Sequence, residues 1–230
     1  MIFFDLDDTL LDHSAAKQLA AGEFYRHFAS DIGCSLADFL ALWRRLSEKY
    51  VNRYLRGELT WEEQQRARIR EVFRDSKPRL SDSEADARFS VYLQAYEQSW
   101  VPFADVEPCL EALRGHELGI ITNGTVDQQT RKLERLGIRG RFRVIVISEA
   151  VGAAKPDPEI FKEACRLAGR PPRECAYVGD RLETDARASK AAGMRGIWID
   201  RAGKSDARQL DVEVIRSLVE LPALILPSQS

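Results

Sequence analysis

The sequence predicts an α/β fold: a parallel sheet of about five strands with helices on both faces, interrupted by an inserted all-helical domain. Three observations predict it. The chain opens on a short, wholly apolar run, Ile2-Phe3-Phe4. From about His13 to Tyr96 no comparable β-branched run follows, and apolar residues recur at helical spacing. After Pro102, β-branched runs alternate with helical patterns to the end of the chain.

Ile2-Phe3-Phe4 reads as a strand buried on both faces, since polar residues do not alternate with the apolar ones. In the insertion, Leu36, Phe39, Leu40, Trp43, Leu46, Tyr50 and Tyr54 recur at intervals of three and four, as on one face of a helix. Gly57 breaks that pattern. Thr60 then precedes Glu63 by three residues, a capping box that opens a helix through Phe73. Ser83–Tyr96 is periodic again. The boundaries fall near Leu11–Ser14 and Ser99–Phe103. Residues 1–12 and 103–230 then form an α/β core, and residues 13–102 a helical cap domain with its linkers.

In the core, Val106–Arg114 reads as helix and Leu118–Ile121 as a strand ending at Thr122. Val126–Leu136 is a helix closed by Gly137, which suits the left-handed position past a helix end. Val144–Ile147 is a strand, Pro158–Ala168 a helix before Gly169, and Cys175–Val178 a strand ending at Gly179-Asp180. Thr184–Ala192 reads as helix, Gly196–Ile199 as the last strand and Val212–Leu218 as the last helix. The alternation describes a Rossmann-like parallel sheet.

Composition narrows the partners. The net charge of −2 shows no basic excess of the kind nucleic-acid binding uses. No run approaches the ~18–20 apolar residues of a membrane span. Asp7 and Asp8 follow the first strand where a signal peptide would continue apolar. Cys34, Cys109, Cys165 and Cys175 are scattered, without a Cys-x-x-Cys pair, as thiols of a reducing compartment are. A cytoplasmic chain without nucleic-acid or membrane partners is expected.

Open parallel sheets bind ligands at the carboxyl ends of their strands. The residues past those ends are Asp5 and Asp7, Thr122 and Asn123, Ser148 and Glu149, and Asp180, with Lys155 one short loop later. An acid-rich rim with one lysine suits a magnesium ion and a phosphoryl group. Asp5 and Asp7, two residues apart, leave the strand on the same side, and their like charges call for a cation. An isolated Asp-x-Asp reads better as a solvated turn; the distant partners at the other strand ends favour a site here. Asp8 and Asp12 read as structural turn residues.

Asp5-Leu6-Asp7-Asp8-Thr9-Leu10 resembles the first motif of the haloacid dehalogenase superfamily. Ile121-Thr122-Asn123-Gly124 resembles its second motif, Lys155-Pro156 its third, and Gly179-Asp180-Arg181-Leu182-Glu183-Thr184-Asp185 its fourth. The four occur in order over Met1 to about Asp200. The stretch from Ile120 through Pro156 looks most like the group of pyrimidine 5′-nucleotidases and N-acylneuraminate-9-phosphatases. The resemblance implies a Mg2+-dependent phosphatase of small phosphomonoesters, pointing first to nucleoside 5′-monophosphates. It implies Asp5 as nucleophile, forming an aspartyl-phosphate, and Asp7 as general acid and base. It implies Thr122, Lys155 and main-chain N–H groups near Asn123 and Gly124 on the phosphoryl group. Magnesium would take the Asp5 carboxylate, the Asp7 carbonyl and Asp180, with Asp185 supporting from behind. A haloacid dehalogenase or a phosphomutase on the same fold is the rival reading, and a non-catalytic binding module is another. Dehalogenases of this fold need neither magnesium nor a second acid, so Asp7 speaks against the first.

Other signals read as structure. His13, His27 and His116 have no metal-like spacing and read as surface or cap residues. Arg66, Arg68 and Arg70 read as a solvated helix face among glutamates. Trp43, Tyr50 and Tyr54 read as core packing, with Tyr50 or Tyr54 kept as candidates for substrate contact. Gly203-Lys204-Ser205 lacks the first glycine of a phosphate-binding loop.

Overall fold

Ile2–Phe4 forms β1, the centre of the sheet, with all three residues buried. The computed structural model describes residues 1–74, 79–203 and 210–225; Lys204 and Ser205 lie outside them. Two compact units divide the chain: Met1–His13 with Trp100–Ser230, and Ser14–Ser99. Beside β1 run β2 (Leu118–Thr122), β3 (Val144–Ile147), β4 (Ala176–Gly179), β5 (Arg195–Ile199) and β6 (Glu213–Ile215), in the order β3-β2-β1-β4-β5-β6. Every pairing is parallel. Phe4 stands opposite Ile120 on one side and Val178 on the other.

The helical unit carries α1 (His13–His27, whose first residue belongs to the sheet unit), α2 (Leu36–Leu55), α3 (Trp61–Val72) and α4 (Asp82–Gln98). Their starts are set by side chains that accept the free N–H groups of the first turn. Ser35 caps α2 through Asp38 N, and Thr60–Glu63 and Ser81–Glu84 form reciprocal capping boxes on α3 and α4. The core is aromatic. Phe24 lies 5.1 Å from Trp43 and 5.9 Å from Phe39, and Trp43 lies 4.8 Å from Tyr92, ring centre to ring centre.

Arg68 departs from the solvated face expected of it. Arg66 and Arg70 do reach outward, to Asp86 and Asp82 respectively. Arg68 is buried, over the rings of Trp43, Phe89 and Tyr92. Residues two apart on a helix are about 200° apart around its axis, so 66, 68 and 70 cannot share one face. Tyr50 packs as expected, its hydroxyl held by Glu71, and the Tyr54 ring lies against Trp61.

In the sheet unit, α5 (Val106–Ala112), α6 (Val126–Arg135), α7 (Ser148–Val151), α8 (Pro158–Ala168), α9 (Ala188–Ala191) and α10 (Leu221–Ile225) follow the strands. Phe3, Ile121, Val146 and Tyr177 share one buried cluster with Ile160, Phe161 and Ala164 of α8. Phe4, one residue on, points to the opposite face, where its ring meets Phe142 at 6.3 Å. The two chain connections beside β1 are stitched together. Asp12 N–H reaches Val101 O at 3.1 Å and Phe103 N–H reaches Leu10 O at 3.0 Å.

Two expectations are corrected. The sheet has six strands, and the expected helix Val212–Leu218 is β6 followed by a single tight turn, Leu218–Glu220. Apolar and polar residues alternate through Val212-Glu213-Val214, a period of two, and Arg195 of β5 pairs with Glu213 across the edge at 2.6 Å. The helix expected from Thr184 starts at Leu182, with a wide π-type turn to Arg187 before α9. Asp185 folds back there over Gly179, where a Cβ would come within 2.5 Å of its side chain. The glycine makes that approach sterically open.

Three of the four cysteines are buried, and all four are free thiols. Among the described residues no helix is long and apolar enough to cross a membrane.

Candidate active site

β1 lies between β2 and β4, strands not next to each other in sequence, so the loops at its carboxyl end diverge and leave a crevice. A cleft of about 120 Å³ opens there, lined by Asp5, Asp7, Thr122, Lys155, Asp180 and Asp185 among others. Asp5, Asp7, Thr122 and Asp180 stand at or just past strand ends, Lys155 lies between α7 and α8, and Asp185 belongs to the π-type turn that follows β4.

Lys155 is the hub. Its Nζ lies 2.8 Å from Asp5 Oδ1, and it donates to Asp185 Oδ1 and to the Tyr177 hydroxyl at 2.7 Å each. Tyr177 passes its own proton to the Ile121 carbonyl at 2.9 Å. Burial works against the lysine's charge, but Asp5 and Asp185 outweigh it and hold its pKa above the ordinary value. Around this one cation stand three carboxylates, of Asp5, Asp180 and Asp185, with oxygens within 4.8 Å of one another. Burial dominates at Asp5 and raises its pKa to about 6, with Lys155 only partly offsetting it. At Asp180, burial and then the charges of Asp5 and Asp185 raise it to about 8. Such crowding is what a divalent cation with oxygen ligands relieves, so the residues present suit magnesium. Asp185 has less capacity than the other two: Oδ1 takes Lys155, and Oδ2 takes the Arg181 N–H at 2.9 Å.

Asp7 is placed differently. Its carboxylate faces α6, where Lys132 Nζ lies 2.7 Å from each oxygen, so only its main-chain carbonyl is left for a metal. Gln129 Nε2 lies 3.4 Å from Oδ2, and His13 Nδ1 3.8 Å from Oδ1. Burial pushes the Asp7 pKa up, but Lys132 and then His13 more than offset it, and the net value is about 2. His13, expected at the surface or in the cap, therefore lines the cleft beside Asp7.

The second strand end brings Thr122 into the cleft, 1% exposed. Asn123 uses its side-chain amide to join two loops, donating to Lys155 O at 3.0 Å and accepting from Lys155 N at 2.8 Å. Of the main-chain N–H groups expected near Asn123 and Gly124 for the phosphoryl group, that of Gly124 goes to Ser148 Oγ at 3.0 Å. Glu149 does not join the acidic rim either. Its carboxylate accepts the Val126 N–H at 2.8 Å, at the positive end of α6.

Sequence reasoning missed Lys132, Gln129 and Tyr177. Tyr177 was indistinguishable from other strand residues. Gln129 and Lys132 did leave a trace: with Leu133 and Leu136 they occupy one helical stripe, so two polar residues interrupt an otherwise apolar face.

A model of the haloacid dehalogenase-like hydrolase family matches residues 1–193. This chain belongs to that family. Its sequence is 35% identical to a glyceraldehyde 3-phosphate phosphatase of Methanopyrus kandleri, over 94% of this chain and 92% of that one. It is 32% identical to the pyrimidine 5′-nucleotidase YjjG of Escherichia coli, over 86% and 85%. Among solved structures, a 2-haloacid dehalogenase of Pseudomonas syringae pv. Tomato is similar with a TM-score of 0.68 and 29% identity, over 97% of this chain and 96% of that one.

Proposed function

We propose that this haloacid dehalogenase-like chain is a magnesium-dependent phosphatase of small phosphomonoesters that works through an aspartyl-phosphate on Asp5. The observation that carries the reading is the crowding at the switch point: Asp5 and Asp180, just past the ends of adjacent strands, share one site with Asp185 and Lys155. A dehalogenase has no use for that surplus of negative charge. Asp5, the Asp7 carbonyl and Asp180 would hold the metal, with Asp185 supporting from behind. A magnesium ion bound there supplies neutralisation of the phosphoryl charge that would otherwise repel the nucleophile.

The chain's own residues do the rest. Asp5 attacks phosphorus, the bond to the leaving oxygen breaks, and an acyl phosphate forms. Lys155 keeps Asp5 ionised and in place, and meets charge on the phosphoryl oxygens as it develops. Thr122 donates its hydroxyl to the same group. Asp7 stands where it can pass a proton to the leaving oxygen and take one from the hydrolytic water. It starts as a carboxylate, paired with Lys132, so the proton it delivers to the leaving oxygen is taken from the monoanionic phosphomonoester or from solvent. The helical unit acts in this reading as a cap that selects the leaving group. Nucleoside 5′-monophosphates and triose phosphates, the substrate types named for the two relatives, are the first to test.

The experiment is hydrolysis of p-nitrophenyl phosphate and of that substrate panel, with magnesium and with excess chelator. Activity should vanish with chelator. Asp5→Asn should remove turnover by at least about 10³-fold while circular dichroism stays native, because an amide is no carboxylate nucleophile. Full turnover in chelator, or release of halide from 2-haloacids instead of phosphate, would replace this reading with the dehalogenase one.

A further inference from the structure

Gln129 of α6 is fully buried and has no part in the mechanism above, yet its amide sits under two of that mechanism's groups. Nε2 donates to Thr122 Oγ1 at 2.7 Å and to Asn123 O at 3.1 Å, and lies 3.4 Å from Asp7 Oδ2. These neighbours fix which way the amide is turned. A carbonyl and a carboxylate can only accept, so the atom facing all three oxygens has to be the nitrogen. The amide oxygen, Oε1, is buried and has no hydrogen-bond partner among the described residues.

The consequence falls on Thr122. A hydroxyl has one proton and accepts through its lone pairs. With an N–H of Gln129 on Oγ1, the Thr122 proton cannot point at Gln129, and among the described residues no acceptor takes it. Thr122 is itself 1% exposed and lines the cleft with Asp5 and Asp180. The only direction left for its O–H is into that cleft. The turn between them is built to let Gln129 reach: Gly124, at φ +147°, passes so close that a Cβ would meet Gln129 Cγ and Cδ at 3.0 Å. Lys132, three residues on and on the same helix face, holds Asp7 in the same way.

We propose that Gln129 is a positioning residue of this site, which occupies a lone pair of the Thr122 hydroxyl and so aims its proton at a phosphoryl oxygen. The proposal rests on the phosphatase reading. It assigns Gln129 no contact with substrate; it acts through Thr122.

A double-mutant cycle tests it in the full-length chain with magnesium present. Binding of inorganic phosphate is measured by calorimetry, and kcat and KM with p-nitrophenyl phosphate, for wild type, Gln129→Leu, Thr122→Val and the double variant. Leucine is near in size and has no donor. Gln129→Leu should weaken phosphate binding about 5- to 20-fold, the range for one hydrogen bond to a charged group that is disoriented but not deleted. In the Thr122→Val background the same change should matter less than about 2-fold, since no hydroxyl is left to aim. Thermal midpoints should instead add across the cycle, because a packing role does not depend on the Thr122 proton. Should Gln129→Leu fail to fold, Gln129→Asn, which keeps the amide but shortens its reach by one methylene, runs the same cycle. Equal losses in both backgrounds, or unchanged phosphate affinity in the single variant, overturn the proposal. A wild type that neither binds phosphate nor cleaves the ester overturns the phosphatase reading, and the proposal with it.

Discussion

Lys155 in the sheet unit and Arg68 in the helical unit are both buried cations, and they are held in opposite ways. Lys155 stands among carboxylates, 2.8 Å from Asp5 and 2.7 Å from Asp185, with the Tyr177 hydroxyl as third acceptor. Arg68 has no carboxylate among the described residues. It lies 4.5 Å over the Trp43 ring, 5.3 Å over Phe89 and 5.5 Å over Tyr92, and donates to Ser47 Oγ at 2.7 Å. Burial depresses its pKa. The difference separates two uses of a buried charge. Around Lys155 the charges are mutually dependent, and taking one away exposes the others. Around Arg68 the aromatic faces are satisfied as apolar surfaces whether or not a cation lies on them.

The largest effect should come from breaking the first arrangement. Lys155→Met leaves Asp5 and Asp185 buried without their cation, which should cost about 3–5 kcal/mol in metal-free urea unfolding. Added magnesium should recover part of that loss, and every phosphate substrate should suffer alike. Stability within about 0.5 kcal/mol of wild type would show that the carboxylates do not depend on the lysine, and the contrast would fail.

Arg68→Met should be far milder. Methionine fills a similar volume against the rings, and no charge is stranded, so the loss of cation–π attraction is offset by relief from burying a charge. A change of about 1 kcal/mol or less in either direction is expected by urea unfolding. A loss as large as that of Lys155→Met would mean that an anion does pair with Arg68 in solution.

A more exposed ion pair in the sheet unit sharpens the scale from below. Asp105 receives Arg201 at 2.8 and 3.0 Å, Ser217 Oγ at 2.7 Å and Leu218 N at 2.9 Å, while Arg201 also reaches Thr9 O at 2.8 Å. Burial pushes the Asp105 pKa up, but Arg201, Ser217 and Leu218 together hold it below the ordinary value. A depressed carboxyl pKa stabilises the fold fully above the unfolded value and loses that contribution as pH falls through the folded one. Wild-type stability should therefore drop below about pH 4, and Asp105→Asn should flatten that part of the profile. Parallel profiles for the two proteins would assign the pair no part in acid stability.

The strand ends were legible because each closes an apolar run. Asp5, Thr122 and Asp180 follow stretches that only a buried strand explains, and the carboxyl end of a parallel sheet is where ligands bind. The helix expected at Val212–Leu218 misread a run too short to separate a period of two from one of 3.6. Arg68 misled because composition places arginine in water, and only the aromatic neighbours on α2 and α4 reverse that. Glu149 was grouped with the site by its position past β3, although its carboxylate serves the first turn of α6.

The alternation of strand and helix, and the order in which Asp5, Thr122, Lys155 and Asp180 follow one another, were readable along the chain. These follow from hydrophobic period and turn chemistry, which are local. That Asp7 faces Lys132 while Asp5 faces Lys155, that Tyr177 lies beneath the lysine, and that Gln129 turns toward Thr122 came from packing between distant elements. Those partners stand 125, 22 and 7 residues apart for Asp7–Lys132, Lys155–Tyr177 and Thr122–Gln129. A helical or strand period says which face a residue occupies; which charge it meets there is set by the packing of another element against that face.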